Sequence, residues 1–155
     1  NEGLAIPAYQ AELEHLPFSS ESFSCVLSES VLSFSHLTSS LQEMSRVLKP
    51  GGMLIGIEAA LKKPMSPAEK EQMMDFYGFT CLLEETEWHK TLKSYGFQST
   101  KAITLLPDDM EFEPTTEMDL SQTIAPIYYD TLQTHYELMQ IYSEYMGHCI
   151  FIAYK

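Results

Sequence analysis

The residues in this chain able to do chemistry are few, and they cluster at the ends of apolar runs. Glu12 closes the stretch Ala5–Ala11, and Ser28-Glu29-Ser30 closes Phe23–Ser28. In open α/β sheets, ligands bind outside the carboxyl ends of the strands, so a strand-terminal carboxylate stands where a substrate could reach it. Ionised, such a group only accepts hydrogen bonds, and near a reacting proton it can act as a general base. Glu29 is therefore a candidate base, or a group orienting a substrate hydroxyl or amine; a loop carboxylate with no such task is the alternative.

Other chemistries find little support. His15, His36, His89, His135 and His148 are scattered without the spacing of a zinc site. There is neither a Gly-x-Ser-x-Gly elbow nor a phosphate-binding P-loop. The acidic run Asp108–Glu113 lacks the central glycine and final glutamate of a calcium loop and reads as a solvated loop. Cys25, Cys81 and Cys149 form no paired metal motif; Cys25 and Cys149 lie in apolar runs, which reads as buried free thiols in a reducing cytoplasm.

The elements that must position these residues are set by hydrophobic period and by stop signals. A strand is expected at Ala5–Ala11, a second at about Phe23–Ser28, then a helix from about Thr38 to Leu48. Leu37, Leu41, Met44 and Leu48 recur at helical spacing, and Ser39/Gln42 or Ser40/Glu43 has the spacing of a capping box. Pro50 drives Lys49 out of helical conformation, Gly51-Gly52 permits a tight turn, and Met53–Glu58 reads as a strand buried on both faces. That unit places two parallel strands side by side. Helices are then expected from Ser66-Pro67 to Tyr77 and over Glu85–Ser94, with Gly96 as a stop. A strand over Phe97–Leu106, a helix over Ile127–Tyr145 broken by Gly147, and a final strand over His148–Tyr154 complete the reading.

The chain has 155 residues, 45% of them hydrophobic, enough for one domain with a real core. Its formal net charge of -13, from 22 acidic and 9 basic residues, argues against a nucleic-acid backbone as partner. No apolar run reaches the roughly 20 residues that span a bilayer, and no secretory signal opens the chain. No membrane association is expected, and a cytoplasmic setting is.

Two segments carry a more specific reading. Glu12-Leu13-Glu14-His15-Leu16-Pro17-Phe18 followed by Phe23–Leu27, and Leu48-Lys49-Pro50-Gly51-Gly52, resemble in order and spacing the second half of a class I, Rossmann-like S-adenosylmethionine-dependent methyltransferase of the ubiquinone/menaquinone-biosynthesis type. The resemblance is clear from Ala5 to Glu58 and weaker to Lys155. It implies an α/β fold: a partial, mostly parallel sheet with an antiparallel last strand, flanked by helices. It further implies a single domain over 1–155, with a lid-like helical insertion over 107–146 before the last strand.

The resemblance also implies roles. Glu12 would accept a hydrogen bond from the adenine amino group, the Leu13 amide would meet an adenine ring nitrogen, and Ser28 would lie beside the cofactor. Glu29 would stand near the acceptor, whose pocket Phe34 would line. The sequence departs from the family pattern at Glu12, where aspartate is usual, and at Ser24, where aspartate usually follows the phenylalanine.

The implied function is methyl transfer from S-adenosylmethionine to a small molecule by the intact parent protein. The family's glycine-rich loop would precede Asn1, so this stretch is expected to be inactive alone. It is also expected to self-associate through the flank of Phe23–Ser28, or to pair that flank with Ala5–Ala11. A non-catalytic methyltransferase-like binding or assembly module is the alternative, and a nicotinamide oxidoreductase a distant third.

Overall fold

A computed structural model describes residues 7–105 and 125–155. β1 (Phe23–Glu29) leads through a 3-10 turn at Leu32–Phe34 into α1 (Leu37–Val47), which returns to β2 (Leu48–Leu61). After β2 come α2 (Pro67–Tyr77), the two-residue β3 (Leu83–Glu84), α3 (Glu85–Ser94), β4 (Ser99–Leu105), α4 (Pro126–Tyr142) and β5 (Met146–Tyr154). The sheet order is β1-β2-β5-β4, with β3 beside the far end of β2. β1 and β2 are adjacent and parallel, Cys25 to Glu29 facing Met53 to Ile57. β5 runs antiparallel to both its neighbours, so it alone among the described strands opposes the rest.

The apolar stripe of α1 is buried as its period demands: Leu41 and Met44 lie under the sheet with Leu48 at the start of β2, Trp88 and Leu92 of α3, Phe97, and Phe151 of β5. Trp88 stacks on Phe151 with ring centroids 5.2 Å apart. Full burial of a side chain of this size contributes about 3 kcal/mol. A second cluster joins α2 to α4: Met73, Leu82, Leu138, Tyr142 and Met146, with Leu61.

Local signals explain the ends of several elements. Ser66 and Glu69 form a reciprocal capping box with Pro67 in the first turn, worth about 1 kcal/mol, and Gly78 closes α2 at φ 75°. Gly51 turns at φ 74°. β2 begins at Leu48 rather than Met53, because Leu48 is already extended and pairs with Phe23 before a bulge restores register at Cys25–Met53.

Four expectations are corrected. Residues 7–11 of the Ala5–Ala11 stretch form no strand, so they do not pair the flank of β1; Ala5 and Ile6 lie outside the described residues. Neither Ser39 nor Ser40 caps α1. The helix starts a turn earlier, after His36, and the Ser40 hydroxyl turns back to the His36 carbonyl at 3.2 Å and to the Ser35 hydroxyl at 2.8 Å. Cys25 is exposed rather than buried, because β1 pairs only β2 among the described strands. Gly147 is no helix breaker: α4 ends at Tyr142 and Gly147 already pairs with Ala60 inside β5. The expected insertion over 107–146 falls partly outside the described residues, and the acidic run Asp108–Glu113 wholly outside them.

Candidate functional site

The end of β1 is built around one buried carboxylate. Glu58, on β2, is fully buried and accepts five hydrogen bonds. Oε1 takes the Ser28 hydroxyl at 3.3 Å and the main-chain N–H groups of Val31 and Leu32 at 3.2 and 2.9 Å. Oε2 takes the N–H of Ser33 at 3.1 Å and its hydroxyl at 2.9 Å. Three consecutive amides can converge on one group because the chain reverses sharply at Ser30, whose φ is 51°. A residue with a side chain adopts that left-handed region only when its surroundings impose it. Here the Ser30 N–H donates to the Ile57 carbonyl at 2.7 Å, and Glu58 holds the amides of Val31, Leu32 and Ser33.

This carboxylate went unread in the sequence, although a signal existed: Glu58 is the one charge in the apolar run Met53–Leu61, where both faces of the strand are expected to be covered.

A second clamp shapes the segment before β1. Arg46 on α1 donates to the carbonyls of Phe18 at 2.8 Å and Leu16 at 3.2 Å. It also pairs with Glu43 at 2.7 Å, and Glu43 in turn accepts the Leu16 N–H at 3.1 Å. The Arg46 hydrogen bonds hold the Glu43 carboxyl below its ordinary range. The i,i+3 spacing of Glu43 and Arg46 was legible in the sequence; the loop they grip was not.

Between this loop and the flank of β1 that no described strand pairs runs an open groove of about 380 Å³. Leu13, Ser28 and Glu29 all line it, together with Val26 and Val31. Three of the five sequence-predicted site residues are thus brought to one place. Ser28 is buried with its hydroxyl committed to Glu58, while Glu29 is exposed. Glu12 does not line the groove; its carboxylate is exposed, 3.8 Å from His15 Nδ1. Phe34 stands apart as well, half-exposed, its ring 4.9 Å from that of Phe79.

An adenosyl group suits part of this surface. The groove offers apolar walls for a ring and the exposed Glu29 carboxylate as an acceptor for amino or hydroxyl groups; the Glu12 carboxylate, outside the groove, is exposed as well. Among the described residues no group of His, Cys, Asp and Glu could hold a metal ion, and no helix is long and apolar enough to cross a membrane.

Comparison with known proteins agrees with this architecture. A methyltransferase-domain family model matches residues 1–56. The uncharacterized methyltransferase YodH of Bacillus subtilis (strain 168) is 89% identical over all 155 residues, and the chain spans 66% of its length. A ubiquinone/menaquinone biosynthesis C-methyltransferase UbiE from Chromobacterium violaceum is 38% identical over 84 residues, covering 53% of this chain and 32% of that protein. Among solved structures, the phosphoethanolamine N-methyltransferase 2 of Haemonchus contortus, in complex with S-adenosyl-L-methionine, superposes with a TM-score of 0.72 at 16% identity. That match covers 93% of this chain and 36% of the other, and at such low identity it speaks to fold alone. With its parallel β1-β2 unit, antiparallel final strand and 89% identity to YodH over its own length, this chain belongs to the class I, Rossmann-like S-adenosylmethionine-dependent methyltransferases.

Proposed function

We propose that the whole protein transfers a methyl group from S-adenosylmethionine to a small-molecule acceptor, and that this stretch is inactive on its own. The observation that carries the reading is the meeting of Leu13, Ser28 and Glu29 on one groove at the carboxyl end of β1. In this reading the Leu13 main chain, on the groove, and the Glu12 carboxylate, outside it, bind the adenine edge, and Ser28 lies beside the donor. Glu29 orients the acceptor or takes its proton, and Phe34 lines the acceptor's approach. When bound, the cofactor supplies an activated methyl group, so positioning of donor and acceptor can do most of the remaining work. Glu58 acts through the others: it fixes Ser28 and the turn after β1, and so fixes where Glu29 and Phe34 project.

Calorimetry with S-adenosylmethionine tests the reading. The whole protein should bind with a micromolar constant, Glu12→Ala should weaken binding about tenfold, and the 155-residue chain should bind weakly or not at all. Glu29→Gln should retain cofactor affinity and lower the methyl-transfer rate by about a hundredfold. A whole protein that fails to bind the cofactor would leave the non-catalytic binding module as the better account.

A further inference from the structure

A second cavity, of about 260 Å³, opens between α2, α4 and the beginning of β5, beside the far end of β2. Met73, Phe79 and Met146 supply apolar walls, and Tyr77, His135 and His148 supply its polar groups. Among the described residues no aspartate, glutamate, lysine or arginine lines it. An ammonium ligand would find no carboxylate among them, and a phosphate or carboxylate ligand no permanent cation; burying either unpaired is costly. The volume admits about one ring with short substituents, since an apolar cavity of about 150 Å³ already holds benzene.

One hydrogen-bonding device breaks the apolar lining. The Tyr77 hydroxyl lies 2.9 Å from His135 Nδ1, with the two rings edge to face at 5.8 Å. Burial pushes the Tyr77 phenol above its ordinary range, so it stays a neutral hydroxyl. With Nδ1 engaged, Nε2 is the ring nitrogen left over, and among the described residues it makes no hydrogen bond. This half-buried imidazole lines the cavity with one nitrogen fixed and the other without a hydrogen bond among the described residues, and such a nitrogen can meet a ligand hydroxyl as donor or acceptor.

The cavity is also tied to the end of β1. Phe79 touches Phe34, and Thr80 donates through its N–H and its hydroxyl to the Ser33 carbonyl at 2.8 and 3.0 Å. Ser33 is itself held by Glu58.

We propose that this cavity binds a small, neutral, ring-sized molecule bearing a hydroxyl group, with His135 Nε2 as its hydrogen-bond partner and Tyr77 as the residue that positions the imidazole. That the ligand is the methyl acceptor rests on the function proposed above; that the cavity binds it does not.

The test uses the whole protein without methyl donor and three matched probes: 4-ethylphenol, ethylbenzene and the cationic tyramine. Ligand-observed NMR titration should show 4-ethylphenol binding about tenfold more tightly than either of the others. His135→Ala should remove the advantage over ethylbenzene while leaving ethylbenzene itself unchanged. Tyr77→Phe, which keeps the ring and its packing, should reduce the advantage in part. Retained amide spectra of both variants separate lost recognition from lost folding, and His135→Gln, which keeps a hydrogen-bonding side chain, serves if the alanine variant unfolds. Equal affinity for 4-ethylphenol and ethylbenzene, or undiminished preference in the His135 variants, overturns the proposal. Adding S-adenosylmethionine then separates the two readings. A bound phenol that is neither methylated nor a competitor of methyl transfer counts against this cavity as the acceptor site, and leaves its ligand preference standing.

Discussion

Glu58 and Ser33, 25 residues apart in sequence, are joined twice: one carboxylate oxygen accepts both the N–H and the hydroxyl of Ser33, at 3.1 and 2.9 Å. This contact fastens the outgoing end of β2 to the turn after β1. Through the Ser33 carbonyl it also holds Thr80 and the segment carrying Phe79. The groove beside β1 and the cavity beside α2 therefore share one anchor.

Loss of that anchor should be expensive. Glu58→Ala leaves the amides of Val31, Leu32 and Ser33 buried or half-buried without their acceptor, and is expected to cost about 4 kcal/mol. Glu58→Gln keeps one acceptor oxygen but turns an amide NH₂ toward donors, and should cost about 2 kcal/mol. Urea unfolding measures both; a cost under about 0.5 kcal/mol for the alanine variant would show that these bonds do not hold the turn.

Gly56 is set by packing rather than by backbone freedom. A Cβ there would overlap the Phe151 ring, which cannot swing aside because it is fully buried and stacked on Trp88. Gly56→Ala should therefore destabilise by about 3 kcal/mol. Gly51→Ala meets no atom within 4 Å but must hold φ 74°, and should cost only about 1 kcal/mol. Thermal or urea unfolding that ranks the two the other way round contradicts the packing argument.

Acid should release the loop before β1. The Arg46 side chain, and after it the Leu16 amide, lower the Glu43 carboxyl below its usual 4.5. A carboxyl depressed in the folded state adds stability above its unfolded value, and that contribution fades as pH falls through the folded value. The urea midpoints of the native chain and of Glu43→Gln should differ at pH 7 and converge only as the pH falls through the depressed folded value, below the ordinary carboxylate range. A gap that persists undiminished in acid would assign the difference to something other than this ionisation.

Thiol chemistry should separate two cysteines that look alike in sequence. Cys149 is buried in β5 with its thiol pushed up to about 12, whereas Cys25 is exposed on β1. Iodoacetamide at about pH 8 should modify Cys25 in the folded chain and reach Cys149 only in denaturant, because the thiolate is the reactive form. Mass spectrometry of the digested protein reads both sites. Equal labelling under native conditions would refute the assigned burial.

The free flank of β1 should make the 155-residue chain associate with itself. Among the described residues nothing pairs that edge, and it exposes Leu27 at 66%. Unpaired apolar edges template strand pairing, and an added lysine blunts them. Sedimentation should show dimers or larger species that Leu27→Lys disperses; a clean monomer at high concentration would count against the edge as an interface.

The sequence by itself determined what depends on near neighbours. The period of Leu41 and Met44, the stop at Pro50-Gly51-Gly52 and the run Met53–Glu58 specify β1, α1 and β2 and their parallel pairing, since a strand, a crossover helix and a strand leave little other choice. The bounds of α3 and the start of α2 at Ser66-Pro67 were equally local, and the motif order was enough to reveal the family. Ala5–Ala11 has a strand's composition, but a strand needs a partner, and composition names none.

Only the tertiary structure decided which polar groups are buried and what they hold. Glu58 finds its donors 25 to 30 residues upstream, and Tyr77 meets His135 across 58 positions. Cys25 is exposed because no described strand flanks β1 on the side away from β2, although its apolar setting in sequence resembles that of Cys149. Such pairings are fixed by packing between elements distant in sequence, and the energy of a buried carboxylate or thiol is set by atoms that the residues on either side of it do not supply.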